Sequence, residues 1–301
     1  MATTYRLQPG EGLSEGVRRI ARDQIDLARD QLSGKGERDI GKAVHEARKA
    51  FKRLRALVRL ARDELGDDVY RLENADFRDA GRTLSGVRDA AVLVETLDDL
   101  LERYGDELSD GAFVGLRDAL ATEARMAHDS IEDDRRRVDE VVATLDAARD
   151  RVAGWPLPEH DEDSAMLAPG LKRIYRRGRR ALRCAREDTT TENLHELRKR
   201  AKDLWHAAQI LRPGAPKKFK RLARRAHDLS DVVGDDHDLA VLLEAAQERP
   251  HALATGEREL LISIVERRRA VLQREALERG RKVYKRKPRR VAALTSGLSR
   301  R

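Results

Sequence analysis

Residues 44–54 read VHEARKAFKRL and residues 194–204 read LHELRKRAKDL, and the relation between these two stretches decides the fold. A displacement of 150 positions lays one on the other with six of eleven residues identical, among them His45 on His195, Arg48 on Arg198, Lys49 on Lys199 and Lys52 on Lys202. Arg and Glu coincide often in a chain that is 39% charged, but histidines do not when there are only 8. The flanks match in the same order. GVRRIAR from Gly16 aligns with GLKRIYR from Gly170, and SGVRDAAVL from Ser85 aligns with GDDHDLAVL from Gly234. Ordered matches of this kind mark a duplicated unit.

The unit is helical. Aromatics are 4% of the chain, while Leu, Ala, Arg, Glu and Asp dominate, a mixture suited to helices packed through Leu and Ala beneath a charged surface. Periodicity and stop signals predict helices over 13–32, 37–65, 68–84, 87–104 and 110–151 in the first half. In the second half they predict 164–186, 191–211, 217–232, 238–248 and 256–281. The Pro-rich, acidic stretch 153–170 reads as a linker between the halves. The expected fold class is therefore all-α: two pseudo-symmetric antiparallel bundles of four to five helices each, from an internal duplication, with a basic central cleft. Residues 1–154 form the first bundle, 155–281 the second, and 282–301 a basic tail.

Global charge is a poor guide to function. The net charge of +8 hides a first half (1–154) with 27 Lys+Arg against 33 Asp+Glu, and 9 of the second half's 35 cations follow Gly280. Where the cations sit matters more. The pattern H-x-x-R-K-x-x-K occupies i, i+3, i+4 and i+7, one helix stripe about 10 Å long. His45, Arg48, Lys49 and Lys52 share one such stripe, and His195, Arg198, Lys199 and Lys202 share the other. Cations on adjacent turns repel, which an isolated helix gains nothing by tolerating twice. A second possibility is that they pair with acids of neighbouring helices such as Asp76, Asp79 or Asp89. The aligned first helices add Arg18, Arg19 and Arg22 against Lys172, Arg173 and Arg176, with Arg179 a turn further on. Lys217, Lys218, Lys220, Arg221 and Arg224 follow, and Arg71 and Arg78 hold the matching stretch of the first half. Guanidinium groups engage phosphate oxygens in bidentate fashion, lysines supply point charge, and histidines gain a proton beside dense negative charge, so binding is expected to tighten as pH falls toward 6. Sparse aromatics give no platform for stacking bases.

With these residues in view, the HEARKAFKRLR and HELRKRAKDLW helices, RIYRRGRRAL from Arg173 and the RD and HDL turns at Arg88–Asp89 and His237–Asp238 resemble the CHAD family, the conserved histidine α-helical domain, from about residue 13 to 281. The resemblance implies two helical bundles around a basic cavity that binds inorganic polyphosphate without catalysis. It carries the binding role onto the cations and histidines named above other than Arg71, together with Arg55 and Arg88, although Arg55 stands opposite Trp205 and Arg88 opposite His237 in the two copies.

It also implies polyphosphate-metabolising enzymes or polyphosphate granules as partners. A cytoplasmic, membrane-free location fits the lack of an apolar run of roughly 20 residues, the lack of a signal-like start and the single cysteine, Cys184, which excludes a disulfide framework. No cofactor or metal is expected. Two alternatives stand beside this reading: binding of nucleic-acid phosphates, and a metal phosphohydrolase of HD type suggested by His237–Asp238, against which the remaining histidines lie among cations that repel a divalent ion.

Overall fold

A computed structural model describes residues 5–35, 39–84, 86–133, 135–158 and 166–298, with side chains except at 86–89 and 130–133. The described residues form helices joined by turns and short loops, with no strand among them. In chain order the helices are α1 (Leu13–Leu32), α2 (Ile40–Leu60), α3 (Arg62–Thr83), α4 (Gly86–Tyr104), α5 (Val114–Asp133) and α6 (Arg135–Ala153). Then come α7 (Ala168–Glu187), α8 (Thr191–Ile210), α9 (Pro216–Gln247), α10 (Glu257–Val283) and the short α11 (Pro288–Ala292). None of them is long and apolar enough to cross a membrane.

The motif helices begin at side-chain caps. Asp39 accepts from the Lys42 amide at the start of α2, and Thr190 accepts from the Asn193 amide at the start of α8. Each satisfies an amide that the first turn leaves open, worth roughly 1 kcal/mol. Helix-spaced apolar residues then set the buried faces: Val17, Ile20 and Ala28 on α1 face Val44, Ala47, Phe51 and Leu54 on α2, while Leu194, Leu197, Ala201 and Leu204 do the same on α8. α1 packs on α2, α7 on α8, and α2 packs directly against both α7 and α8. The buried apolar residues join in one cluster that runs from Leu7 to Val291.

Several junctions tighten this core. Gly170 in α7 sits where a Cβ would stand 1.8 Å from the Leu60 carbonyl oxygen, so only glycine lets α7 approach the end of α2. The N-terminal segment is pinned between the motif helices, with Tyr5 donating to the Arg53 carbonyl at 2.9 Å and the Leu7 amide to the Ile210 carbonyl at 3.1 Å. The stretch after α6 is no loose linker where it is described. Trp155 and Leu157 are buried, and the Trp155 indole donates to Glu73 at 3.3 Å. The basic end also folds back: the Tyr175 hydroxyl donates to the Val283 carbonyl and accepts from the Arg286 amide, and Val291 is buried.

Helix boundaries at α1, α7 and α8 lie within a few residues of the expectation, and three others differ. The predicted helices 217–232 and 238–248 are one helix, α9. Its Gly234 is not a turn but a point of close approach, where a Cβ would stand 2.8 Å from the Arg198 guanidinium. The single helix predicted over 110–151 is two, α5 and α6. The break between the helices predicted over 37–65 and 68–84 falls earlier, at Ala61, with Gly66 turning the chain again at φ 74°.

Candidate functional site: a cavity between the two motif helices

α2 and α8 wall a cavity of about 1270 Å³, completed by α4, α9 and α10. His45, Arg48 and Lys52 of α2 line it, and the stripe continues to Arg55 and Arg59 at the same 3- and 4-residue spacing. From α8 come His195, Arg198, Lys199 and Lys202, with Arg200, Asp203 and His206 beyond them. Arg103 and Arg268 add two more cations, while Glu95, Asp99, Glu102, Asp235 and Asp238 add carboxylates from α4 and α9. Among the described residues, eight of the ten lining Arg and Lys side chains thus stand on the two motif helices, against one of the six lining acids.

The one described acid of those helices that lines the cavity is already committed. Asp203 accepts from Arg59 at 2.8 Å and from Arg200 at 2.8 Å, and Arg200 also reaches Glu196 at 3.0 Å. Arg59 and Arg200 are therefore structural pairs in the wall. Lys199 lies 3.4 Å from Glu196 and Arg198 3.8 Å from Asp238, while Arg48 donates to the Leu84 carbonyl at 3.3 Å.

The deeper cations carry an electrostatic cost. Burial, then the charges of Arg198 and Lys52, push Lys202 down from 10.5 to about 8. Burial, then Arg59, push Arg55 down from the ordinary arginine range to about 10. The His195 and His237 rings stand 4.5 Å apart, each with a buried Nδ1 that has no hydrogen-bond partner. Burial, then His237 and the flanking cations, lower His195 from 6.5 to about 4, and burial with Arg198 lowers His237. His206, stacked on Trp205 and edge-on to Tyr5, falls to about 3 through burial and then Arg53. His195, His206 and His237 are therefore neutral at neutral pH, able to present a donor nitrogen without a charge.

Of the cations singled out from the sequence, the cavity gathers His45, Arg48, Lys52, Arg55, His195, Arg198, Lys199 and Lys202. Lys49 does not line it and pairs with Glu46 at 2.8 Å. Arg18 donates to the Trp155 carbonyl at 2.8 Å, Arg19 pairs with Glu11 at 2.7 Å, and Arg22 is exposed. Arg78 pairs with Asp79, the next residue of its own helix, at 2.8 Å, and Asp76 pairs with Arg151. Arg173 pairs with Asp63 and donates to the Arg59 carbonyl at 2.8 Å. Lys172, Arg176 and Arg179 are exposed on α7, and Lys217, Lys218, Lys220, Arg221 and Arg224 are exposed at the start of α9. The side chains of Arg88 and Asp89 lie outside the described residues. Sequence reasoning missed Arg59, Arg103, Arg200, His206, His237 and Arg268 as lining residues. Among the described residues no three His, Cys, Asp or Glu side chains are grouped to hold a metal ion.

The CHAD domain family model matches residues 19–247 of this sequence. Among solved structures, the crystal structure of the CHAD domain from the plant Ricinus communis is similar in fold, with a TM-score of 0.61 at 19% identity, over 98% of this chain and 94% of that one. No curated protein matches the chain.

Proposed function

The chain belongs to the CHAD family, and from that premise we propose that it is a non-catalytic binder of inorganic polyphosphate, held in the cavity between α2 and α8. In this reading α1–α6 and α7–α11 are two pseudo-symmetric bundles from an internal duplication, and the cavity is the basic cleft between them. The convergence of both H-x-x-R-K-x-x-K stripes on one space carries the proposal: eight cations from the two motif helices face it with a single, already paired acid among them.

The chemistry suits a chain of linked phosphates. Arg48 and Arg198 offer planar forks to non-bridging oxygens, Lys52 and Lys202 supply point charge, and His195 and His237 carry nitrogens without partners. A cavity walled on two sides by cations focuses the field on an entering anion. A linked chain meets several of these groups at once, whereas orthophosphate meets few, so affinity should rise with chain length and fall with salt. Polyphosphate-metabolising enzymes or polyphosphate granules, in the cytoplasm, are the partners and place this role would serve.

Calorimetric competition between polyphosphate and single- or double-stranded nucleic acid, at several salt concentrations, tests the proposal. Polyphosphate should displace nucleic acid, and preference for nucleic acid would sink it. Phosphate release on adding Mg²⁺ or Mn²⁺ would show instead that the chain is an enzyme.

A further inference from the structure

The cavity leaves the charge on α7 unexplained. Residues 170–186 contain no acid. α7 buries Leu171, Ile174, Tyr175, Gly178 and Ala185, and turns Lys172, Arg176, Arg179, Arg183 and Arg186 outward. Their spacing of 4, 3, 4 and 3 places them in one stripe, about 21 Å long at 1.5 Å per residue. Among the described residues none of the five forms an ion pair, so no described carboxylate is paired against their mutual repulsion.

Two features extend the stripe into a surface. No acid follows Glu278, and exposed Lys285, Arg286 and Lys287 are held over α7 by the Tyr175 hydroxyl, which accepts from the Arg286 amide at 3.1 Å and donates to the Val283 carbonyl at 3.0 Å. Near this same N-terminal end α7 touches the cavity wall: Arg173 donates to the carbonyl of Arg59, whose side chain lines the cavity. The aromatics here, Tyr175 and Tyr284, are buried, which leaves no stacking platform for bases. The exposed large apolar residues, Leu72, Val114, Met126 and Val271, are not on α7 or the segment over it, so there is no apolar anchor for a bilayer. What remains is an arginine-rich face suited to repeated bidentate contact with phosphate oxygens along a line.

We propose that the outward stripe of α7 and the basic segment 285–290 form an outer track, along which a polyphosphate chain too long for the cavity continues. The inference rests on the cavity reading and adds to it a preference for long chains. Binding in the cavity fixes one part of the chain, and the track then meets the rest at high effective concentration.

The test is a full-chain variant carrying Arg176→Gln, Arg179→Gln, Arg183→Gln and Arg186→Gln, titrated with tripolyphosphate and with long-chain polyphosphate between about 50 and 200 mM salt. Tripolyphosphate affinity should stay within about twofold of wild type. Long-chain affinity should fall at least about tenfold, with a salt dependence shallower by about 3 in log–log slope for four lost contacts at about 0.7 each. Equal long-chain affinity in variant and wild type would overturn the track, as would a parallel loss for both ligands, or a loss of duplex DNA binding without a loss of polyphosphate binding. Failure of the wild type to bind either polyphosphate would sink the cavity reading and the track together; a wild type that binds both while the variant is unchanged sinks only the track.

Discussion

Replacing Lys202 with Met should make the protein more stable and a weaker anion binder. The ammonium is held at about 8 in the folded chain by burial, then by Arg198 and Lys52, against an ordinary value of 10.5. At 1.36 kcal/mol per pKa unit, keeping that proton at pH 7 costs the folded state up to about 3 kcal/mol. Methionine keeps the length of the buried stem and removes the charge. Between about 8 and 10.5 the unfolded chain holds the lysine proton and the folded chain does not, so wild-type stability climbs with pH across that window, while the variant lacks this term. Thermal or urea unfolding should therefore give Lys202→Met an advantage of roughly 1–3 kcal/mol at pH 7, a few degrees in Tm, shrinking below about 1 kcal/mol at pH 10. Affinity for polyphosphate should fall a few-fold in the same variant. An unchanged or lower stability at pH 7, or an advantage that does not shrink with pH, would show that the cluster is not strained and that the site is not kept at a cost to the fold.

Three further outcomes follow from the same wall. Asp203→Asn leaves Arg59 and Arg200 without their shared carboxylate and should cost about 3 kcal/mol in urea unfolding, the usual penalty of breaking a buried ion pair; a loss under about 1 kcal/mol would show the pairs to be incidental. Gly234→Ala should leave the fold intact, since alanine favours a helix, yet displace the Arg198 guanidinium that a Cβ would meet at 2.8 Å, and calorimetry should find weaker polyphosphate binding. His195, held at about 4 by burial and then by His237, is expected to take up a proton beside bound phosphate, because the anion raises its pKa. Affinity should then climb as pH drops from 7 toward 5, and less so in His195→Asn; a flat profile in the wild type would rule this out.

The parts of the fold set by local periodicity were legible in the chain: α1, α7 and α8 follow from apolar spacing and their stop and start residues. α9 was not, because Gly-Asp-Asp at 234–236 carries the composition of a turn, and only the approach of Arg198 from another helix explains the glycine. At the site, the motif spacing placed His45, Arg48 and Lys52 on one face. It could not tell that Lys49, at the stripe's edge, pairs with Glu46 while its counterpart Lys199 reaches the cavity. Arg59 was within reach, since it continues Arg48, Lys52 and Arg55 at helix spacing. Arg103 and Arg268 carry no such signal, because they enter the cavity only through the packing of α4 and α10.

The claim that the two motif helices grip one polyanion is tested most directly by titrating long-chain polyphosphate into the full chain before and after Arg48→Gln, Lys52→Gln, Arg198→Gln and Lys199→Gln are combined, with circular dichroism to verify the helices. The expected result is salt-dependent binding in the wild type and a loss of at least about tenfold in a variant that remains folded. Unchanged affinity in the folded variant would mean that these cations are only a charged wall.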